Sequence, residues 1–362
     1  MKKICTVVGA RPQFIKLAVV SRVLRRGPEL REVLIHTGQH YDYNMSDVFF
    51  EEMDIPHPDY NLGISGGSHG RMTGQMLIAI EAVLLEERPD MLLVFGDTNS
   101  TMAAALAAVK LGIPVCHVEA GNRLGTLQNP EEVNRIVTDH ISSLHLACTP
   151  SGVDFLKREG FSSSVALVGD PMYDAFLYYT ARLDGSEANE LTGFDGRRVA
   201  LPGKYYYLTC HRQENTDTDE KLEQIFLAMR ALDAPVVYPV HPRSHARAQR
   251  LAARGACHNV ILTLPVGYKT SLYLVNHAEK IVTDSGGLQR EAFFAQKQCV
   301  TVFDYVAWPE TMANRCNQLA RPDARDILAK LSKQAVFDSS YQPFGDGHSA
   351  EKIVQKMKEY PA

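Results

Sequence analysis

Short continuous apolar runs alternate with longer stretches whose apolar residues recur at helical spacing. Ile4–Val8, Val33–Ile35, Met91–Phe95, Pro114–Val118 and Leu144–Cys148 read as buried strands. Between them, residues 14–24, 71–86 and 100–111 carry the helical period, and Pro130 opens another helix at the position where a missing N–H costs little. Strands apolar at every position need cover on both faces, as in a parallel sheet flanked by helices. The same alternation resumes after the polar, glycine-rich stretch 184–203. Tyr205–Thr209, Val236–Val240, Val260–Leu262, Ile281–Thr283 and Val300–Val302 read as strands of a second half, and a last helix is expected over about 348–358.

The pattern predicts an α/β protein of two doubly wound, Rossmann-like domains. The first covers 1–170, the second 171–345, and 346–362 carries the last helix. Such domains bind ligands where their strands end, so a cleft between the two is the expected site. On the helix opened by Pro130, Val133, Ile136, Val137 and Ile141 form the apolar side and are expected to face the core. Glu131, Arg135 and Asp139 are then expected to face the cleft or solvent.

Composition narrows the class. The 362 residues are 45% hydrophobic and 22% charged, which fits a soluble globular chain of roughly two domains. A net charge of −4 argues against a nucleic-acid or acidic-membrane partner. No apolar run has membrane-spanning length. The seven cysteines are scattered, several within apolar runs, with no CxxC or Cys/His ligand spacing. That pattern predicts buried thiols, no structural zinc, and a reducing, cytoplasmic location.

Candidate chemistry lies just past the apolar runs. Arg11, His36, His40, Asp97, Glu119, His211, His241, Arg243, Asp284 and Ser285 follow or end a predicted strand, and His117 lies inside one. Asp97 and Glu119 follow two runs that read as neighbouring strands, so their carboxylates are expected to converge. Crowded carboxylates raise each other's pKa and suit proton transfer near neutral pH. Each residue also has a plainer reading: Asp97 as a helix cap, His117 as a satisfied core histidine, Arg243 as a solvated cation. Glu131 and Arg135 are four apart, which also fits a structural ion pair. Ser285-Gly286-Gly287 joins a strand to a helix N-terminus, where backbone N–H groups and the dipole favour a phosphate. The plainer alternative is an ordinary turn capped by Ser285.

Seven motifs occur in one order: Gly9-Ala10-Arg11-Pro12-Gln13-Phe14-Ile15-Lys16, Thr37-Gly38-Gln39-His40, Gly96-Asp97-Thr98, His117-Val118-Glu119-Ala120-Gly121, Pro130-Glu131-Glu132-Val133-Asn134-Arg135, His211-Arg212-Gln213-Glu214-Asn215 and Thr283-Asp284-Ser285-Gly286-Gly287. In this set, over nearly the whole length, the chain resembles the non-hydrolysing UDP-N-acetylglucosamine 2-epimerases. The resemblance implies a glycosyltransferase-B type fold whose C-terminal helix crosses back to the first domain. It also implies a UDP-sugar substrate, a homodimer, no NAD and no catalytic metal. The implied reaction epimerises C2 of a UDP-2-acetamido sugar by elimination of UDP to a glycal and re-addition, in the synthesis of cell-surface polysaccharide precursors. Asp97, Glu119, Glu131 and His211 match the catalytic residues. Arg11, Lys16, His40, Arg135, Arg243, Ser285, Gly286, Gly287 and Glu291 match substrate contacts, with Glu291 at the ribose.

Several positions depart from the family pattern. Ser271 stands where a phenylalanine stacks on uracil, Val266 where a glutamine is common, and Trp308 where an arginine lies near the diphosphate. Ser68-His69-Gly70 replaces an Arg-Gln pair of the allosteric site in bacterial members. Trp308 and Gly66-Gly67-Ser68-His69-Gly70 are more like the subgroup acting on modified sugars such as UDP-2,3-diacetamido-glucuronate. A hydrolysing 2-epimerase and a glycosyltransferase-B type transferase remain as alternative readings of the same parts.

Overall fold

Residues 1–39, 49–255 and 258–361 are described by the computed structural model. The chain forms two units, Met1–Leu177 with Gln342–Ala362, and Tyr178–Tyr341. The first runs β1 (Lys2–Val8), α1 (Arg11–Leu24), β2 (Leu30–His36), β3 (Tyr60–Asn61), α2 (His69–Glu87), β4 (Met91–Phe95), α3 (Asn99–Lys110), β5 (Val115–Val118), α4 (Pro130–Ile141), β6 (Leu144–Ala147), α5 (Pro150–Arg158), β7 (Val165–Leu167) and α6 (Pro171–Thr180). Its sheet has the order β3-β2-β1-β4-β5-β6-β7, parallel throughout.

The strand order reverses between β1 and β4, and ligands of doubly wound sheets bind outside the strand ends at that reversal. Arg11 follows β1 and Asp97 follows β4, so the reversal carries both. One face of the sheet, through Cys5, Val7, Val33, Ile35, Leu92, Val94 and Val115, packs on Met76, Ile80 and Val83 of α2 and on the alanines of α3. The alanines, from Ala103 to Ala108, let α3 lie close to α2 and α4, its two neighbours.

The second unit continues with β8 (Tyr206–Thr209), α7 (Gln213–Thr216), α8 (Asp219–Arg230), β9 (Val236–Pro239), α9 (His245–Ala253), β10 (Val260–Thr263), α10 (Tyr268–His277), β11 (Ile281–Thr283), α11 (Gly286–Phe294), β12 (Cys299–Val302), β13 (Asn317–Ala320) and α12 (Ala324–Leu331). Its sheet order is β10-β9-β8-β11-β12-β13, and the reversal falls between β8 and β11. The last helix, α13 (Ser349–Glu359), packs on α1, and the Lys2 ammonium bonds the carbonyls at its end. The described cysteines are free and buried; Cys257 lies outside the described residues. Among the described residues no helix is long and apolar enough to cross a membrane.

The helix opened by Pro130 reverses the expected orientation. In α4 the buried residues are Glu132, Asn134, Arg135, Thr138 and Asp139, whereas Val133 is exposed and Ile136, Val137 and Ile141 are half-buried. The amphipathic rule assumes that the inner face is satisfied by apolar contact. Here charged partners on neighbouring elements satisfy it.

Candidate functional site

The first unit sets two carboxylates at the ends of adjacent parallel strands. Gly96 leaves β4 in the left-handed region (φ 64°), and Thr98 caps α3 by accepting the Thr101 N–H at 3.3 Å. Asp97, between them, pairs with the Arg135 guanidinium of α4. Arg135 also reaches Glu132 at 3.1 Å and Glu131 at 3.9 Å. Burial works against its charge, but Asp97, Glu131 and Glu132 outweigh burial and hold the guanidinium above its ordinary range. Asn134 donates to the Asp97 carbonyl at 2.9 Å, and Glu132 accepts the Leu124 and Gly125 N–H groups at 2.8 and 3.0 Å. Glu131 leaves 43% of its side chain exposed, the most open of the three carboxylates.

Glu119 follows β5 with φ 73°, a left-handed conformation that a non-glycine residue adopts at a cost of order 1–2 kcal/mol. Its nearly buried carboxylate pairs with the Lys16 ammonium of α1, itself only 2% exposed. Asp97 and Glu119 each have an ion-pair partner, Arg135 and Lys16, and Arg135 also feels the Glu119 charge. Cys148 and Asp170, both buried, have polar atoms within 4.8 Å of Glu119. Among the described residues this is the one grouping with metal-like spacing. The Lys16 ammonium already neutralises Glu119, so the group is better matched to an ion-pair nest than to a cation.

Gln13, which the sequence reading passed over, ties the two strand ends together. Its side chain accepts the Gly9 and Ala10 N–H groups at 2.8 and 3.0 Å, and donates to the Phe95 carbonyl at 2.8 Å. A glutamine at the third position of a helix that follows a glycine turn is the signal that could have found it. Arg11 lies over the Phe49 ring at 4.4 Å. His40 lies outside the described residues.

The second unit carries its own constellation at the β8/β11 reversal. The His211 Nδ1 is 2.8 Å from the Asp284 carboxylate, which also accepts the His211 and Arg212 N–H groups at 2.9 Å each and the Asn215 amide at 3.2 Å. Burial alone would raise the Asp284 carboxyl, but His211 and these donors overcome it and hold it far below the usual range. The sequence reading had Asp284 at a strand end and within a motif, with no role assigned. The His211 ring keeps 41% exposure, so its far edge is accessible.

Ser285 caps α11, its hydroxyl accepting the Leu288 N–H at 3.3 Å, which bears out the plainer reading of that residue. Capping and anion binding are compatible, because the first-turn N–H groups of Gly286 and Gly287 have no intrahelical acceptor. A Cβ on Gly286 would stand 4.0 Å from the Trp308 indole nitrogen, so the tryptophan borders the turn. Trp308 is buried under the Arg290 guanidinium, 4.0 Å from its ring. Glu291 is buried on the same helix. Arg243 is exposed, with its N–H bonded to the His241 ring at 3.2 Å, and Ser271 bonds the Tyr207 hydroxyl at 3.0 Å.

Known proteins resemble the chain over this whole span. The family model for UDP-N-acetylglucosamine 2-epimerase matches residues 22–358. The chain is 45% identical over 360 residues to a UDP-N-acetylglucosamine 2-epimerase homolog of Methanococcus maripaludis, covering 98% of this chain and 99% of that one. It is 42% identical over 364 residues to the UDP-2,3-diacetamido-2,3-dideoxy-D-glucuronate 2-epimerase of Pseudomonas aeruginosa, again covering 98% and 99%. Among solved structures, the Methanocaldococcus jannaschii UDP-GlcNAc 2-epimerase in complex with UDP-GlcNAc and UDP superposes with a TM-score of 0.89 at 37% identity, covering 99% and 100% of the two chains.

Proposed function

Because the chain belongs to the UDP-N-acetylglucosamine 2-epimerase family, isomerases acting on UDP-sugars, we propose that Asp97, Glu119, Glu131 and His211 carry C2 epimerisation of a UDP-2-acetamido sugar. The observation that carries this assignment is the pair of carboxylate–cation pairs, Asp97–Arg135 and Glu119–Lys16, at the ends of adjacent parallel strands. A carboxylate takes the proton from sugar C2 while the C1–O bond breaks and UDP departs with its electron pair. A C1–C2 double bond results. Proton delivery to the opposite face of C2 and return of the UDP oxygen to C1 give the epimer. Asp97 and Glu119, ion-paired with Arg135 and Lys16, serve as the bases, and Glu131, the most exposed, is suited to exchange its proton. Asp284 orients His211 so that its far nitrogen serves the departing diphosphate. The N–H groups of Gly286 and Gly287 bind diphosphate oxygens, Glu291 takes the ribose, and Arg11 and Arg243 add cationic contacts. UDP-GlcNAc and UDP-2,3-diacetamido-2,3-dideoxy-D-glucuronate, each incubated with the enzyme and followed by proton NMR, test the reading. A C2 epimer from one of them is the expected result; release of free sugar and UDP alone would favour hydrolysis.

The modified sugar is the favoured substrate, since Trp308 borders the glycine turn where the family pattern has an arginine. The assembly is a homodimer through the outer faces of α2, α3 and α4. On α2, Gly74, Ile78, Ala82 and Leu85 are exposed along one stripe, with Ile78 at 68% and Leu85 at 56%. Val109 of α3 and Val133 of α4 extend this apolar surface, which a second copy would cover. Light scattering should give twice the chain mass, and Ile78→Glu with Leu85→Glu should give the monomer; a monomeric wild type refutes the dimer. The buried free thiols fit a reducing, cytoplasmic setting.

A further inference from the structure

The proposed chemistry leaves unused a buried polar cluster on which the turns bearing Asp97 and Glu119 rest. His117 of β5 is fully buried. Its Nδ1 lies 2.6 Å from the Asp139 carboxylate and its Nε2 2.7 Å from the Gly96 carbonyl oxygen. A neutral imidazole has one N–H donor. The Gly96 carbonyl can only accept, which requires a proton on Nε2. Asp139 acts as a carboxylate acceptor by its contacts: its other oxygen faces only donors, the Gly121 N–H and the Arg123 guanidinium. Nδ1 must then donate as well, so the ring donates from both nitrogens.

Asp139 spends its second oxygen on the other turn. It accepts the Gly121 N–H at 3.0 Å and the Arg123 guanidinium at 2.7 Å. Arg123 is in turn held by Glu159 through two bonds of 2.7 and 2.6 Å. The backbone carbonyl of Asp139 accepts from His145 Nε2 at 2.7 Å. His117 and Arg123 thus face Asp139 and Glu159 as donors against carboxylates.

The turns it ties are the constrained ones. Gly96, Glu119 and Gly121 have φ of 64°, 73° and 82°. A Cβ on Gly121 would come within 2.2 Å of the Gly152 carbonyl oxygen, so this backbone has one way to run. Strained turns persist only where their surroundings over-determine them. We infer that His117 and Asp139 are positioning residues, a doubly donating imidazole and its carboxylate that together fix the Gly96-Asp97 and Glu119-Gly121 turns and so aim both carboxylates.

This inference rests on the epimerase reading for its kinetic arm only. Asparagine mimics the reach of Nδ1 and glutamine that of Nε2, so the two replacements separate the links. His117→Asn keeps Asp139 and loses the Gly96 carbonyl; kcat for C2 exchange should fall roughly 10²-fold with KM within about threefold, the scale of a misplacement of about 1 Å. His117→Gln keeps the Gly96 link and should hold kcat within about tenfold of wild type. A folded His117→Asn enzyme with kcat within threefold of wild type, or a loss confined to KM, overturns the proposal. The second arm needs neither a substrate nor a variant that folds. Nitrogen NMR of histidine-labelled, full-length wild type should show one histidine protonated at both ring nitrogens across neutral pH, with proton–nitrogen couplings resistant to solvent exchange. Absence of such a ring overturns it. If wild type turns over no UDP-sugar, the epimerase reading fails while this second arm still decides the cluster.

Discussion

Replacing Lys16 by methionine is the sharpest perturbation of the first unit. The ammonium and the Glu119 carboxylate are 2% and 7% exposed, so neither can be rehydrated in place. Removing one partner of a buried pair costs about 3–5 kcal/mol. Asp170 makes the two ends unequal. With its carboxylate within 4.8 Å of Glu119, loss of the ammonium leaves two carboxylates repelling by about 3 kcal/mol at an effective dielectric constant of 20. Lys16→Met should therefore reach the upper end, about 5 kcal/mol. Glu119→Gln leaves the ammonium unpaired but creates no pair of like charges, and should cost about 3 kcal/mol, the lower end. The double variant should be more stable than Lys16→Met alone, because the uncompensated Glu119 charge is gone. The unit has roughly 200 residues, for which ~1 kcal/mol shifts a melting midpoint by about 2–4 °C. Calorimetry should thus show Lys16→Met lowered by ~10–20 °C and Glu119→Gln by ~6–12 °C, from the same conversion. A Lys16→Met midpoint within about 2 °C of wild type, or a double variant that loses the sum of both singles, refutes the reasoning.

His211→Asn should lower C2 exchange at least ~10²-fold, the scale for losing one charge-stabilising group; rates near wild type would reject its role at the diphosphate. Trp308→Arg should raise kcat/KM for UDP-GlcNAc relative to the diacetamido sugar, and an unchanged ratio in competition assays would remove Trp308 from specificity. The Asp139 carboxyl sits near 2 in the folded chain against an ordinary 3.8. It therefore contributes about 2 kcal/mol that is present above pH ~4 and lost as pH falls toward 2. Urea midpoints measured from pH 2 to 6 should fall steeply on that limb, and less steeply in Asp139→Asn.

Much of this architecture is legible in the sequence because continuous apolar runs of four or five residues admit few readings. Met91–Phe95 and Ile281–Thr283 emerge at the predicted bounds. Three strands escaped notice: Tyr60–Asn61 has two residues, Val165–Leu167 three, and Asn317–Ala320 begins Asn-Gln. Polar residues just past strand ends mark the site for the same reason, since the sheet exposes its ends where the apolar run stops. Pairing is another matter. Lys16 lies within the apolar sequence Phe14 to Val20, a hint that it is buried, yet nothing local says its partner is 103 residues away. Asp139 was hidden by an inverted helix, and with it the partner of Arg123: the apolar stripe of α4 suggested a core face, while its polar stripe is the one buried. An amphipathic pattern reports two different faces; which of them turns inward depends on the partners that neighbouring elements supply.

Solvent exchange at C2 tests the central claim most directly. The enzyme is incubated in D2O with UDP-GlcNAc and with UDP-2,3-diacetamido-2,3-dideoxy-D-glucuronate, and proton and mass spectra are taken of recovered substrate and product. Proton removal by a carboxylate predicts one deuterium at C2 of the epimer formed, with the rest of the sugar unlabelled. Epimer formed without deuterium at C2, or no exchange into either sugar, contradicts it.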